Sequence, residues 1–204
     1  MSPRTSGAQT TPLVWIDCEM TGLDAGTDAL VEIGCVVTDP NLEPVDEGIS
    51  MVIRPPDAAL AGMSELVTNM HRTSGLLPLI PAGMTVAEAE TQVLEYVRQH
   101  VPEARKAPLA GSSVYVDRSF LAIEMPTLDA HLHYRVVDVS SIKELVKRWY
   151  PKAYFNNPGK TGNHRALGDV MDSIGELRYY RKTVFVDPDG SGPEASAPAG
   201  AATL

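Results

Sequence analysis

Three segments rich in Val and Ile follow one another near the start of the chain, and they restrict the fold more than any other feature. They cover residues 13–18, 29–38 and 48–54, with Gly, Asp and Pro concentrated between them. β-Branched residues favour strands, and strands that are consecutive in sequence usually lie side by side. The pattern therefore predicts an antiparallel meander of three strands.

Helical and strand patterns alternate over the rest of the chain. Capping-box patterns, Thr85 with Glu88 and Ser141 with Glu144, each precede a helical apolar stripe. The remaining predicted elements are a strand at 108–111, a helix from Asp117, a strand at 135–139 and a long helix at 165–182. The order β-β-β-α-β-α-β-α-α predicts an α/β fold, a mixed five-stranded sheet flanked by helices.

The two ends of the chain lack this patterning. Residues 187–204 contain no Val, Ile, Met or aromatic side chain, so they cannot bury enough apolar surface to offset the entropy of ordering. Residues 1–11 contain no apolar segment of the kind found in secretion signals. We therefore expect a folded domain at 12–186 between a disordered N-terminus, 1–11, and a disordered tail, 187–204.

Composition limits the location and the partners. Cys18 and Cys35 lie in apolar stretches, which favours reduced thiols and a cytoplasmic protein, and no apolar run is long enough to span a membrane. The net charge is −9, from 17 Lys and Arg against 26 Asp and Glu. Binding along extended nucleic acid depends on many cationic contacts to phosphates, so we expect no long duplex as a partner, whereas a small ligand is allowed.

An acidic pair closes the first predicted strand. Asp17 and Glu19 are two residues apart, so both carboxylates leave the same face of a strand while Cys18 points to the other. Such oxygen ligands suit Mg²⁺ or Mn²⁺. Glu88 and Glu90 show the same spacing, so the pair taken alone favours a solvated strand end over a metal site.

Two later segments carry further candidates. His164 precedes the last predicted helix and Asp169 lies in its second turn, an offset that requires His164 to approach from the preceding loop. A histidine there can accept a proton from water near neutral pH, although a lone loop histidine is more often a surface residue. Asp172 is a rival to Asp169. Asp117 begins a helix, where a carboxylate can also simply stabilise the helix N-terminus.

Taken together, four segments resemble the DEDDh exonucleases and, within that group, the oligoribonuclease family. They read WIDCEMTGLD, GSSVYVDRSFL, HYRVVDVSSIKEL and HRALGDVMDSI. The resemblance implies a ribonuclease H-like fold, a homodimer and two Mg²⁺ or Mn²⁺ ions. It also implies 3′-to-5′ hydrolysis of short RNA oligonucleotides, including dinucleotides, to nucleoside 5′-monophosphates.

The same resemblance implies a role for each matching residue. Metal ligands would be Asp17, Glu19, Asp117 and Asp169, with His164 as the general base. Contacts to the bases would come from Thr21, Gly22, Leu23, His71 and Leu66, where Leu66 stands in place of a stacking tryptophan. A cap around the 5′ end of the substrate would come from Ser113, Tyr134, Arg135 and Ser140.

Two other functions are compatible with these motifs. One is the same chemistry on DNA ends or tRNA 3′ tails, for which a broader basic groove would be expected than this composition offers. The other is a nucleic-acid-binding module without catalysis, against which the presence of all five chemical residues argues. Release of monophosphates that depends on metal would distinguish an enzyme from such a module.

Overall fold

A mixed sheet of five strands organises the protein, whose computed structural model describes residues 11–159 and 164–186. The strands are β1 Leu13–Met20, β2 Leu30–Thr38, β3 Ile49–Val52, β4 Pro108–Gly111 and β5 His133–Asp138. Their spatial order is β3-β2-β1-β4-β5. The first three strands pair antiparallel, whereas β4 is parallel to β1 and β5 is parallel to β4. The predicted meander and the predicted mixed sheet are confirmed.

The helices follow the predicted order with four short additions. They are α1 Asp57–Ala61, α2 Glu65–Thr73, α3 Val86–His100, α4 Tyr115–Glu124, α5 Pro126–His131, α6 Val139–Trp149, α7 Pro151–Phe155 and α8 Ala166–Thr183. Sequence patterns did not indicate α1, α2, α5 or α7. Within the described ranges, no helix combines the length and the apolar character needed to cross a membrane.

One predicted capping box is confirmed and the other is wrong. The Thr85 hydroxyl accepts the N–H of Glu88, and the Glu88 carboxylate accepts the N–H of Thr85. In α6 the N-cap is Asp138, whose carboxylate accepts the N–H of Ser140 at 2.8 Å. The helix therefore begins before Ser141, because β5 passes directly into α6 without the loop that a cap at Ser141 would require.

Apolar clusters cover both faces of the sheet. Val14, Ile16 and Cys18 of β1 belong to the cluster that includes residues of α3 and α4. Trp15 belongs to the opposite cluster, which includes residues of α8. Side chains alternate along a strand, so Asp17 and Glu19 continue the row of Trp15 toward α8. This alternation brings the acidic pair to the side of the sheet on which the last helix packs.

Several predictions concern parts of the chain outside the described residues, 11–159 and 164–186. Residues 1–10 and the predicted tail, 187–204, lie outside them, as do residues 160–163, which precede His164. Both cysteines lie inside them, and each is a buried free thiol.

Candidate active site

The candidate site begins at the end of β1, the strand that pairs with both β2 and β4. Glu19 is 7% exposed and Asp17 is half-buried, while Cys18 packs into the core on the opposite face. The register with β2 shifts immediately after Glu19. Such an irregularity bends a strand and redirects its side chains, so the acidic pair sits where the regular ladder ends.

Asp117 reaches the same strand from α4. Its side chain is 6% exposed, and its Oδ1 accepts the backbone N–H of Cys18 at 2.8 Å. Burial raises the pKa of Asp117 to about 7, although the hydrogen bond from Cys18 opposes the shift. Asp117 therefore contacts the strand of the acidic pair, which a carboxylate that only stabilised a helix N-terminus would not need to do.

The first turn of α8 completes the group. One ligand atom each of Glu19, His164 and Asp169 lie within 4.8 Å of one another. His164 is exposed, precedes the helix and has a φ of 49°, so it approaches from outside the helix as its spacing predicts. The structure thus brings Asp169 close to Glu19, which favours Asp169 over Asp172 as the acid of this group.

The electrostatics of this group favour a cation. Burial and, after it, the charges of Asp169, Glu32 and Asp117 together raise the pKa of Glu19 to about 8, against the opposing charge of Arg165. Carboxylates forced together in this way are stabilised by a divalent metal with hard oxygen ligands. The carboxylate oxygens of Glu19 and Asp169 fit such an ion, and the imidazole of His164 lies beside them.

Glu32 and Arg165 hold the first turn of α8 against the sheet. The Glu32 carboxylate is wholly buried and accepts the Nε and Nη2 groups of Arg165. On the same strand, a Cβ on Gly34 would lie 2.5 Å from the backbone nitrogen of Leu167. Sequence reasoning missed this contact, although a charged residue in the middle of the apolar β2 was a signal, since such a group is rarely buried without a partner.

The predicted base-contacting residues differ in exposure. Leu23 and Leu66 are 80% and 81% exposed, so both offer apolar surface to a ligand. His71 is wholly buried, with Nε2 2.8 Å from the carbonyl oxygen of Met20 and Nδ1 3.7 Å from a Glu19 oxygen. His71 therefore lies beside the acidic group and not on the open surface.

Thr21 and Gly22 form a turn that Asp28 organises. The Thr21 hydroxyl donates to Asp28 at 3.1 Å and accepts the N–H of Ala29 at 3.0 Å. A Cβ on Gly22 would collide with the Asp28 carboxylate. The turn thus requires glycine at this position and sets the direction in which the exposed Leu23 leaves it.

Two of the predicted cap residues, Ser113 and Ser140, meet just after the ends of β4 and β5, whereas Tyr134 and Arg135 lie near the beginning of β5. The N–H of Ser113 donates to Asp138 Oδ1 at 3.0 Å and to Ser140 Oγ at 3.2 Å. Tyr134 and Arg135 are exposed, and the Arg135 guanidinium lies 5.4 Å from the Tyr134 ring centroid. Because β1, β4 and β5 are parallel, the residues that follow them share one edge of the sheet. Sequence reasoning missed Asp138, whose carboxylate accepts hydrogen bonds from both Ser113 and Ser140.

Comparisons with known proteins decide the family. The family model described as "Exonuclease" matches residues 14–177, which include all five candidate catalytic residues. The oligoribonuclease of Streptomyces avermitilis is 59% identical over 90% of this chain and 92% of its own length. The oligoribonuclease of Leifsonia xyli subsp. xyli is 56% identical over 93% of this chain and 91% of its own. The chain belongs to the exonuclease family, in its oligoribonuclease branch.

Solved structures of exonuclease I share the fold of this oligoribonuclease-family chain at low identity. The enzyme from Methylocaldum szegediense has a TM-score of 0.60 at 19% identity over 84% of this chain. The zinc-bound complex of E. coli exonuclease I with single-stranded DNA has a TM-score of 0.66 at 12% identity over 85%. This chain spans 40% and 41% of those longer chains. The predicted ribonuclease H-like fold is confirmed.

Membership of the exonuclease family has two consequences for the site. The protein is a nuclease enzyme. The family domain also implies dependence on a divalent metal, and the group of Glu19, His164 and Asp169 is a site that fits one.

Proposed function

We propose that the protein hydrolyses short RNA oligonucleotides, including dinucleotides, from their 3′ ends and releases nucleoside 5′-monophosphates. The observation that carries the proposal is the meeting of Glu19, His164 and Asp169 within 4.8 Å. The oligoribonuclease names of relatives at 56–60% identity support RNA of this length as the substrate. The net charge of −9 also favours a ligand with few phosphates.

Two Mg²⁺ or Mn²⁺ ions would be held by four carboxylates, those of Asp17, Glu19, Asp117 and Asp169. When bound, such ions supply an activated water and neutralise charge on the leaving 3′ oxygen. The carboxylates fix the ions, and Asp117 is itself fixed by the Cys18 N–H. The imidazole of His164 takes the proton of the attacking water, since it is exposed beside Glu19 and Asp169.

Substrate contacts would come from two sides of this centre. Leu23 and Leu66 present exposed apolar side chains to the bases. Ser113, Ser140 and Arg135 would cap the phosphate at the 5′ end, partly from the second subunit of a dimer, and such a cap favours short chains. Thr21 and Gly22 shape the base pocket, while the buried His71 supports it from beside Glu19.

A homodimer fits the edge of the sheet. β5 is an edge strand, and Tyr134 within it is exposed, as are Trp149 and Phe155 on the following helices. Exposed aromatic surface beside an unpaired strand edge favours association with a second copy. The two buried free thiols support a reducing, cytoplasmic location.

The function is tested by supplying the purified protein with single-stranded RNA of graded length, from two nucleotides upward, with Mn²⁺ and with EDTA. We expect nucleoside 5′-monophosphates with Mn²⁺, fastest from the shortest substrates, and none with EDTA. Faster hydrolysis of DNA ends or tRNA tails would replace the RNA assignment with its nearest alternative. Absence of metal-dependent release would contradict catalysis altogether.

The role of His164 is tested by His164→Ala, which we expect to lower kcat by about 10²- to 10⁴-fold, the usual effect of losing a general base. Mn²⁺ binding, measured by calorimetry, should remain nearly unchanged because the four carboxylates remain. His100→Ala is the matched control. His100, the last residue of α3, pairs with Asp46, so its replacement should leave kcat unaltered. An unimpaired His164→Ala enzyme would refute the proposed base.

A further inference from the structure

The first turn of α8 is tied to β2 by a buried carboxylate. Glu32 lies opposite Glu19 in the antiparallel register. Its oxygens accept Arg165 Nε at 3.0 and 3.1 Å, Arg165 Nη2 at 2.7 Å, the Ala166 N–H at 3.1 Å and the Ser50 hydroxyl at 3.1 Å. A carboxylate with this many donors is fully compensated for its burial, so the contact has one well-defined geometry.

A second contact fixes the distance between the helix and the strand. Gly34, two residues after Glu32 on β2, lies so close to the helix that a Cβ there would stand 2.5 Å from Leu167 N and 2.6 Å from the carbonyl carbon of Ala166. The ion pair and this backbone contact together hold the beginning of α8 at two points on one strand.

These contacts bear directly on the site because of what flanks Arg165. His164 is its covalent neighbour, and Asp169 lies one helical turn later, with its N–H donating to the Arg165 carbonyl at 3.0 Å. His164 also has a φ of 49°, a conformation that a non-glycine residue keeps only when its surroundings enforce it. An anchor at Arg165 supplies that constraint.

We propose that Glu32 and Arg165 form a positioning pair that holds His164 and Asp169 against the carboxylates of β1. The pair acts through those two residues, so the inference rests on their proposed catalytic and metal-binding roles. The contact made by Arg178 is an example of one that serves only stability, since it joins α8 to the loop after β2, away from the site. Arg178 donates to the Leu42 carbonyl and to Glu43, at 2.6 and 2.7 Å.

The experiment compares Arg165→Gln, Glu32→Gln and their double variant with Arg178→Gln, measuring kcat and KM on an RNA dinucleotide at saturating Mn²⁺. We expect each single variant at the pair to lower kcat by about 10- to 100-fold, the usual effect of losing a group that orients metal ligands. KM should change by less than about threefold, because substrate contacts remain. The double variant should be no slower than the slower single variant.

Two further variants sharpen the test. Arg165→Lys should recover part of kcat, since it keeps the charge but loses the forked geometry. Arg178→Gln removes a more exposed tie on the same helix, so it should lower the melting temperature less than Arg165→Gln does. Its kcat should stay within about twofold of wild type. If Glu32→Gln does not fold, Glu32→Asp replaces it, because it keeps the charge and shortens the reach.

Three results would overturn the proposal. If Arg165→Gln lowers the melting temperature but preserves kcat, the pair is merely structural. Loss of kcat in Arg165→Gln but not at position 32 would mean that Arg165 acts on the substrate itself. Multiplying effects in the double variant would show independent roles. Assaying His164→Ala in parallel separates failure of the proposed function from failure of the positioning pair. An active His164→Ala enzyme refutes the general base. An inactive His164→Ala enzyme together with an active Arg165→Gln enzyme refutes only the positioning pair.

Discussion

Glu19 and Glu32 face each other across the β1–β2 ladder, and both are buried, yet their surroundings are opposite. Glu32 accepts hydrogen bonds from the guanidinium of Arg165, the backbone of Ala166 and the hydroxyl of Ser50. Glu19 faces the carboxylates of Asp169 and Asp117, and burial together with these charges raises its pKa to about 8. Donors from the protein compensate the charge of Glu32, whereas the charge of Glu19 would be compensated by a bound cation.

The two carboxylates have separate roles: Glu32 supports the position of α8, and Glu19 belongs to the chemical site. A compensated acid holds an element in place and gains nothing from a metal. An uncompensated acid destabilises the metal-free protein, and that cost is recovered when a cation binds, which couples metal affinity to the fold. Burial alone does not distinguish the two cases, whereas the donors around each carboxylate do.

The largest expected effect comes from removing the uncompensated charge. Glu19→Gln should lower kcat by about 10²- to 10³-fold, the scale of losing one electrostatic group at a reacting centre. It should not lower the free energy of unfolding in EDTA, because the buried charge is gone. Urea unfolding and dinucleotide kinetics measure both. A smaller kcat loss than that of Glu32→Gln would reverse the assignment of roles.

The next effect concerns pH in the absence of metal. The folded protein keeps the Glu19 proton up to about pH 8 and the Asp117 proton up to about pH 7, whereas the unfolded chain releases both near pH 4 to 5. Stability in EDTA should therefore fall as pH rises from 5 to 8, by about 2 to 3 kcal/mol after allowance for relaxation. Melting scans across this range measure it.

The same scans provide the control for this prediction. Mn²⁺ should abolish the decline, because bound cations favour the ionised carboxylates. Glu19→Gln should reduce the decline to the part that Asp117 contributes. A metal-free protein that becomes more stable between pH 5 and 8 would contradict the raised pKa values of Glu19 and Asp117.

A smaller effect is expected where the helix touches the strand. Gly34→Ala should cost about 1 to 3 kcal/mol, because its methyl group would overlap the backbone of α8, and it should also lower kcat. Gly175→Ala is the matched control within α8, with no atom within 4 Å of the added carbon, and should stabilise by about 0.5 to 1 kcal/mol. Equal stabilities of the two variants would mean that the helix moves freely over β2.

The smallest effect tests one donor of the compensated acid. Ser50→Ala removes a single hydroxyl from Glu32 and should cost about 1 kcal/mol of unfolding free energy. The guanidinium and the Ala166 N–H remain, so kcat should stay within about twofold of wild type. A large loss of kcat would show that Ser50, too, is needed to position α8.

Much of this arrangement could be predicted from the sequence because it depends on local patterns. The alternation along β1 placed Asp17 and Glu19 on one face, and the offset of His164 from Asp169 required an approach from outside the helix. The antiparallel pairing of the first three strands followed from the meander at the start of the chain, whereas the positions of β4 and β5 in the sheet did not. These features depend on residues a few positions apart, whose relative directions are set by backbone geometry.

The remaining features depend on contacts between distant segments. Glu32 and Arg165 are 133 positions apart, so a charged residue within β2 indicated that a partner was needed but not which one. Asp169 could not be separated from Asp172 until α8 was placed on the sheet. The cap at Asp138 was missed because β5 runs straight into α6, which no capping pattern signals.

The central place of β1 has a consequence for how the protein opens. Its first half pairs with both β2 and β4, and the ladder with β2 continues through Asp17 and Glu19, so hydrogen exchange along β1 should require opening of the sheet itself. The first turn of α8 is attached to β2 by the Glu32–Arg165 pair and by the close contact at Gly34 rather than by a strand ladder, so it can open while the sheet stays folded. Hydrolysis can therefore stop while the strand that carries half of the acidic ligands stays intact, and activity returns without refolding.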